Sequence, residues 1–376
     1  MWAYRLAGPG FVSRCDRDDD KRELAPGQVR LRFRVAGLCG SDMPKLNGII
    51  VRKSAAANDY APIHELVGEV IESASSELKT GQRVVGSGGR ANGLAEFHVE
   101  SDQTFIPVPD ELGDAEAVTI QSLGTVIRAA SLFPEVAGRR VAVIGAGPIG
   151  LAFCHVLKHR GAAHVTSVDP VERDAAARQF GADEFVRMRS TQWAQTLDDG
   201  TRPDIVVEAV GHQHATITDA LRAVATEGFV YGFGSPDDPD YVIPYQQLYE
   251  RSLTLRAGRT LGGWPGVLRD GRDYLLRHRA DFKGYISHQI PVSDAQTAYS
   301  LYARPQSGRL KVAIVDLPRR PQPGPGPDRT GPDRTGRGIP ARGENAPVCR
   351  PSPPPELGPC LRSYRGLPGP FVRCLR

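Results

Sequence analysis

The chain is 376 residues long, 40% hydrophobic and 24% charged, an ordinary globular balance with length enough for two domains. Its net charge of +4 is uneven: after Leu317 come eleven Arg, no Lys and four acids, a surplus of seven positive charges, so Met1 to Leu317 carry a net −3. A mildly acidic body does not suit a nucleic-acid binder, and the lack of a basic-then-apolar leader, or of any apolar run near the roughly 18 residues of a membrane span, predicts a cytoplasmic protein with no membrane partner.

In chain order, Gln28 to Val99 is rich in short alternating runs: Val29 to Val35, Val67 to Ile71, Arg83 to Val85 and Ala95 to Val99, separated by Gly and Pro. A β-rich domain is expected over residues 1–116. The rhythm then changes. Val141 to Ile144, His164 to Val168, Ile205 to Val207 and Phe229 to Phe233 are apolar, β-rich runs, and the segments between them can hold amphipathic helices. That alternation predicts an α/β domain over 117–257, a doubly wound parallel sheet covered on both faces. Residues 258–317 end in another strand-like run, Leu310 to Val315, which can return to the first domain. The tail, 318–376, is crowded with Pro, Gly and Arg and repeats GPDRT at Gly326 to Thr335. It reads as a disordered extension, with a basic tether for an acidic partner as the alternative.

The strand Val141 to Ile144 runs directly into Gly145-Ala146-Gly147-Pro148-Ile149-Gly150, followed by the helical pattern Leu151 to Leu157. Gly145 permits the tight turn, Gly147 lets backbone approach a pyrophosphate, Gly150 allows close helix-to-strand packing, and the helix start offers free N–H donors. The next strand ends at Asp169. A carboxylate there can accept from both ribose hydroxyls of NAD and repels the 2′-phosphate of NADP. Arg173 is the counter-signal, because a nearby arginine can accommodate that phosphate. NAD is the expected cofactor.

In the β-rich region, Cys39-Gly40-Ser41-Asp42 follows one strand and His64-Glu65 precedes the next. Thiolate, imidazole and carboxylate are ligand types for Zn²⁺, and a catalytic site needs three protein ligands and an open position. Taken singly, a Cys or His is more often a packed or exposed bystander; the constellation is as readily a metal site as not. The six cysteines, at 15, 39, 154, 349, 360 and 374, form no CxxC pair, which argues against a disulfide framework.

GLCGSD (Gly37 to Asp42), HELVGEV (His64 to Val70), GQRVVG (Gly81 to Gly86), GLAEF (Gly93 to Phe97) and GAGPIG (Gly145 to Gly150) together resemble, in their order, the zinc-containing medium-chain alcohol dehydrogenases, most of all the sorbitol, threonine and cyclitol dehydrogenase branch. The resemblance implies a GroES-like catalytic domain, a Rossmann domain and a cleft between them. It further implies one catalytic zinc held by Cys39 and His64, with Glu65 as a ligand or an exchanging neighbour, a proton relay through Ser41, and Asp42 orienting His64. Family members usually associate through the edge strand of the nucleotide-binding sheet, here near Leu253 to Ala257, so a homodimer or homotetramer is expected. Two departures stand out. The family's four-cysteine lobe is replaced by Gly86 to Leu94, so no structural zinc is expected there, and the family's Glu-Pro before the bridging helix is Gln121-Ser122. Gln121 would be a weak, neutral metal ligand.

Lys45 can contact a polyol hydroxyl or a phosphate, or remain solvated. Glu208 and His212, in EAVGH, fall where nucleotides lie in this architecture, with backbone contact favoured there. Arg309 or Lys311 can pair with the pyrophosphate or form surface charge. His155 and His159, on the helix after the glycine turn, suggest packing or solvent contact rather than ligation. The favoured reading is zinc-assisted, NAD-dependent interconversion of a secondary alcohol and a ketone in a polyol, sugar or aminocyclitol. A zinc-free quinone or enone reductase on the same fold, and a non-catalytic nucleotide-binding protein, are its rivals.

Overall fold

The structure is a computed structural model that describes residues 1–18, 21–49, 59–89 and 93–316; the expectations for the tail lie outside the described residues. The chain opens with an antiparallel hairpin, β1 (Trp2–Gly8) and β2 (Phe11–Asp16). Next come β3 (Gln28–Gly37), α1 (Met43–Leu46), β4 (Glu65–Ser73), β5 (Arg83–Gly86), β6 (Phe97–Ser101) and β7 (Phe105–Pro107). In β3 the alternation seen in sequence is a real two-sided pattern. Val29, Leu31 and Phe33 are buried in one core while Arg32 is exposed, as a strand with one face on a core requires; past a register shift between Phe33 and Val35, Ala36 joins that core and Val35 packs into the other. Arg34 leaves that face to pair with Glu69 and Asp114, and Arg83 meets Asp114 from the other side.

Two helices, α2 (Asp114–Ala117) and α3 (Thr119–Ala130), lead out of this sheet into a strictly alternating series. It runs β8 (Arg140–Ile144), α4 (Pro148–His159), β9 (His164–Val168), α5 (Asp174–Gln179), β10 (Glu184–Val186), α6 (Ser190–Thr196), β11 (Ile205–Glu208), α7 (His214–Ala223), β12 (Phe229–Gly232), α8 (Tyr245–Glu250) and β13 (Thr254–Ala257). All six strands are parallel, in the order β10-β9-β8-β11-β12-β13. The order reverses between β8 and β11, which opens a crevice outside the carboxyl ends of those two strands, the place where doubly wound sheets generally take a ligand.

After α9 (Trp264–Arg277), β14 (Ile286–Pro291) and α10 (Ala295–Ala303), the last described strand, β15 (Lys311–Val315), pairs antiparallel with the end of β3 and parallel with β14. The first sheet therefore contains strands from both ends of the described chain. The register matters for the chemistry: Gly37 sits opposite Glu65 on one side and Ala313 on the other. That brings the end of β3, the start of β4 and the start of β15 to one place. Among the described residues no helix is long and apolar enough to cross a membrane.

Candidate functional site

Cys39, His64 and Glu65 present ligand atoms within 4.8 Å of one another. Each is placed by a strand end. Cys39 begins the single 3-10 turn Gly40–Asp42 that follows β3, and His64-Glu65 opens β4. Asp42, buried beneath them, ties the two together: one carboxylate oxygen accepts from the Cys39 N–H at 3.0 Å and the other faces His64 Nδ1 at 2.8 Å. A proton on Nδ1 then leaves Nε2 as the free ring nitrogen, 3.4 Å from Ser41 Oγ. This is the arrangement by which an outer carboxylate sets the tautomer of a metal-binding histidine.

The electrostatics couple the three groups to one another and to Asp42 and Lys311. Burial pushes the Cys39 thiol up, but its hydrogen bond to His64 and that ring's charge outweigh burial and leave it lowered. For His64, burial acts downward and Asp42 overrides it, so the ring is raised well above its ordinary value. Burial raises Glu65, with Lys311 opposing. Thiolate, imidazole and carboxylate in one place form a donor set that a divalent cation suits, with the cation competing for the proton that Asp42 draws onto His64.

Lys311 is the residue whose place differs most from its sequence expectation. It does not reach toward a pyrophosphate. Its ammonium lies 2.5 Å from both oxygens of Glu65, and both side chains are 1% exposed. Only Oε1 has hydrogen-bond geometry with Lys311; Oε2 is buried without a hydrogen bond. The physical reason is register: β15 runs beside β3, so its first residue is delivered to the β4 end instead of the crevice. Gly37 is required for this pair, since a Cβ there would collide with the Glu65 carboxylate and press on Lys311. Oε2, ion-paired to Lys311 but making no hydrogen bond, is the oxygen that a metal could take in exchange for the ammonium.

Gln121 is buried in α3, and its neighbour Ser122 donates to Thr119 O at 3.1 Å. Tyr285 and Tyr302, which sequence reasoning did not single out, are buried phenols whose ionisation is opposed first by burial and then by the negative charge of Cys39 and Glu65. Tyr285 also donates to Pro148 O at 2.9 Å, linking this centre to the glycine turn. Lys45 is half shielded, with its ammonium lowered by burial against the pull of Asp42 and Asp59.

At the glycine turn, Gly145 has φ +99°, a left-handed backbone that favours glycine. A Cβ on Gly150 would overlap the Gly145 carbonyl, so the helix can start this close to β8 only without one. Gly147 is the N-cap of α4, with Pro148 and Ile149 in its first turn. Asp169 accepts from Ala146 N and Val171 N, both at 2.8 Å, which fixes its carboxylate beside the turn. Arg173 is buried and donates to Arg309 O at 2.6 Å and Gln306 O at 3.3 Å, bracing the loop before β15. Arg309 in turn lies 4.7 Å over the Tyr302 ring.

Glu208 organises the neighbouring loop, accepting from Val210 N, Gly211 N and Thr216 Oγ1 at 2.8 to 2.9 Å. His212, at φ 55°, crosses to the other sheet's side and donates from Nε2 to Gly40 O at 3.0 Å. The side chain at this position, and not its backbone alone, thus holds the Cys39–Asp42 turn.

Comparison with known proteins agrees with this geometry. The family described as Alcohol dehydrogenase GroES-like domain matches residues 25–110, and that described as Zinc-binding dehydrogenase matches residues 148–270. The chain belongs to the zinc-containing medium-chain dehydrogenases. An L-threonine 3-dehydrogenase of Coxiella burnetii is 24% identical over 323 residues, which covers 75% of this chain and 91% of that relative. Among solved structures, the alcohol dehydrogenase TADH from Thermus sp. ATN1 superposes with TM-score 0.71 at 25% identity over 84% of this chain and 99% of its own. L-idonate 5-dehydrogenase from Escherichia coli shares the fold with TM-score 0.70 at 20% identity, covering 84% and 97%. This dehydrogenase is accordingly an oxidoreductase acting on CH–OH groups.

Proposed function

We propose that the protein catalyses the NAD-dependent, zinc-assisted oxidation of a secondary alcohol in a polyol, sugar or aminocyclitol to a ketone, or the reverse. The observation that carries this reading is the convergence of Cys39, His64 and Glu65 beneath Ser41, with Asp42 joining two of the three donors. Zn²⁺ at these donors would lower the pKa of the substrate hydroxyl, and NAD would accept the hydride. Ser41 Oγ receives the hydroxyl's proton and passes it toward solvent. Asp42 keeps a proton on His64 Nδ1 and so leaves Nε2 for the metal, and Lys311, 2.5 Å from both carboxylate oxygens, favours the charged form of Glu65. Glycines 145, 147 and 150, with Pro148 and Ile149, cradle the pyrophosphate, and Asp169 takes the ribose hydroxyls. NAD is preferred over NADP because Asp169 is pinned at the turn while two nitrogens of Arg173 are engaged by carbonyls of the loop before β15. The two sheets support dividing the chain at 1–116, 117–257 and 258–317.

The secondary alcohol is supported by the threonine dehydrogenase to which the chain is similar, and the polyol class by the idonate and galactitol-1-phosphate dehydrogenases that share its fold. Association into a homodimer or homotetramer is supported by β13, an edge strand, and by the exposed apolar side chains Val242, Tyr245, Tyr249 and Leu261 on the segments flanking it; a monomer by light scattering would reject it. The deciding experiment measures zinc per chain and NAD⁺ reduction over polyols and cyclitols for wild type, Cys39→Ala and Ser41→Ala. Cys39→Ala should lose one zinc equivalent together with turnover. Ser41→Ala should keep the metal and lose about 10²- to 10⁴-fold in kcat. Full turnover in Cys39→Ala would overturn the zinc-assisted mechanism, and metal-free, NADPH-linked reduction would identify the reductase alternative.

A further inference from the structure

Among the described residues a second set of ligand-type side chains converges, distinct from the Cys39 centre: His155 and His159 of α4, His278 just past α9, and Asp281, each with a ligand atom within 4.8 Å of the others. His155 and His159 are one helical turn apart and share a face. Their rings stack with centroids 4.2 Å apart, and the His278 ring lies 4.4 Å from His159 and 5.1 Å from His155. Asp281 Oδ2 is 3.2 Å from His155 Nε2 and 3.6 Å from His278 Nδ1.

The contacts around the set orient its lone pairs. His159 Nδ1 is 2.9 Å from His155 O; a carbonyl only accepts, so the proton is on Nδ1 and Nε2 of the neutral ring is free to bind. His155 Nδ1 is 2.8 Å from the Tyr274 hydroxyl, with Nε2 facing Asp281. Phe180, Phe282 and Tyr274 wall in the His155 ring. Burial, with the neighbouring His159, holds His155 down to about 4, so it is neutral at neutral pH. Lys158, on the same helix, is paired with Asp183 at 2.7 Å, and the Arg277 cation acts on the His278 ring.

We propose that His155, His159, His278 and Asp281 form a second metal site, which takes Zn²⁺ and ties α4 to the chain that follows α9. Three imidazoles and a carboxylate are a zinc donor set, and two histidines four apart on one helix face are a recurrent zinc-binding spacing. The site sits at the carbonyl end of α4, where the helix dipole favours a cation. Tyr274 supplies the partner to the non-ligating nitrogen that such histidines use. Tetrahedral zinc spaces its ligand atoms about 3.4 Å apart; His159 is exposed and His278 partly so, and both can turn inward to close the remaining gap. Sequence offered only the 155/159 spacing, because His278 and Asp281 arrive through the tertiary fold.

The test is Co²⁺ titration of full-length, metal-stripped Cys39→Ala protein, with displacement by Zn²⁺. The expected result is one equivalent of Co²⁺ with a visible ligand-field spectrum and no thiolate charge-transfer band, which separates this site from any cysteine elsewhere in the chain. Adding His159→Ala and His278→Ala should abolish that equivalent, and Tyr274→Phe should weaken it roughly 10- to 100-fold. Absence of a sulfur-free Co²⁺ equivalent in Cys39→Ala, or one that survives the histidine substitutions, would overturn the proposal. A failure of the Cys39 centre itself leaves this readout unaffected, since the titration is made without that thiol.

Discussion

The glycine turn after β8 and the centre around Cys39 both handle charge beneath the surface, yet different physics holds each in place. At the turn, shape does the positioning. A left-handed Gly145, a Gly150 with no room for a Cβ and a helix starting at Pro148 direct backbone N–H groups at the crevice, and the Asp169 carboxylate is pinned by the backbone N–H of Ala146 in the turn and of Val171 beyond β9. At the Cys39 centre compensation does the positioning. Glu65 is buried because Lys311 is beside it, and His64 is held by Asp42. The first arrangement fails when an atom is added, the second when a charge is removed.

The largest expected effect follows from the second statement. Lys311→Met leaves the Glu65 carboxylate buried without its partner, which costs about 3–5 kcal/mol of stability by urea unfolding of metal-free protein. Glu65→Gln in the same chain should recover most of the loss, since a neutral amide needs no counter-charge. Zn²⁺ should also recover part of it if Glu65 can be a ligand, because the metal then supplies the positive charge. A loss under about 1 kcal/mol in the single variant would mean that water already reaches the pair and that compensation is not what holds it.

Gly150→Ala tests the shape-held region. The added Cβ meets the Gly145 carbonyl, so the turn must open or α4 must shift, at about 1–3 kcal/mol for overpacking. The accompanying loss of NAD affinity, measured by fluorescence titration, should exceed that of an equally destabilising substitution remote from the turn. Unchanged affinity would show that the cradle tolerates displacement.

How far each region was legible in the sequence follows from the same contrast. The cradle is made from consecutive residues, and strand, glycines, helix and Asp169 can be read from one local stretch. The parallel sheet was legible for a similar reason, since each buried strand announces itself by its own apolar run. Cys39, His64 and Glu65 could be picked out as ligand types in a known order, and the structure brings them together; Asp42, expected beside His64, lies 2.8 Å from its Nδ1. The partner of Glu65 was not legible. Lys311 lies at the far end of the described chain, and only the antiparallel register of β15 on β3 sends it to this pocket. Tyr285, Tyr302 and the His212 contact with Gly40 were hidden in the same way, because their roles depend on which segments meet.

His98 offers a third mode of burial, one in which the group is simply kept neutral. It is fully buried, donates from Nε2 to Ala95 O at 3.0 Å and leaves Nδ1 without a hydrogen bond. Burial pushes its pKa down to about 4, below the ordinary value near 6.5 of the unfolded chain. Between those two values the unfolded state binds the extra proton, so stability is full above about pH 6.5 and falls as pH drops toward 4. Going from pH 7 to pH 5 should therefore cost wild type about 2 kcal/mol more than His98→Leu. Parallel pH profiles for the two proteins would show that acid reaches the ring without unfolding the chain.

The smallest expected effect bears on whether the two regions act independently, because His212 joins them. Its left-handed backbone is set by the loop that Glu208 organises, and its ring reaches the carbonyl of Gly40 beside Cys39 and Ser41. Asparagine tolerates that backbone conformation but is too short to make the contact, so His212→Asn removes the hydrogen bond without adding strain. One hydrogen bond of this kind contributes about 1 kcal/mol. If it positions Ser41 for the reaction, kcat/KM should fall up to about tenfold while the NAD dissociation constant and Tm stay near wild type. If instead it only fastens one domain to the other, Tm should fall and kcat should hold, and the glycine cradle and the Cys39 centre would then be coupled by packing alone.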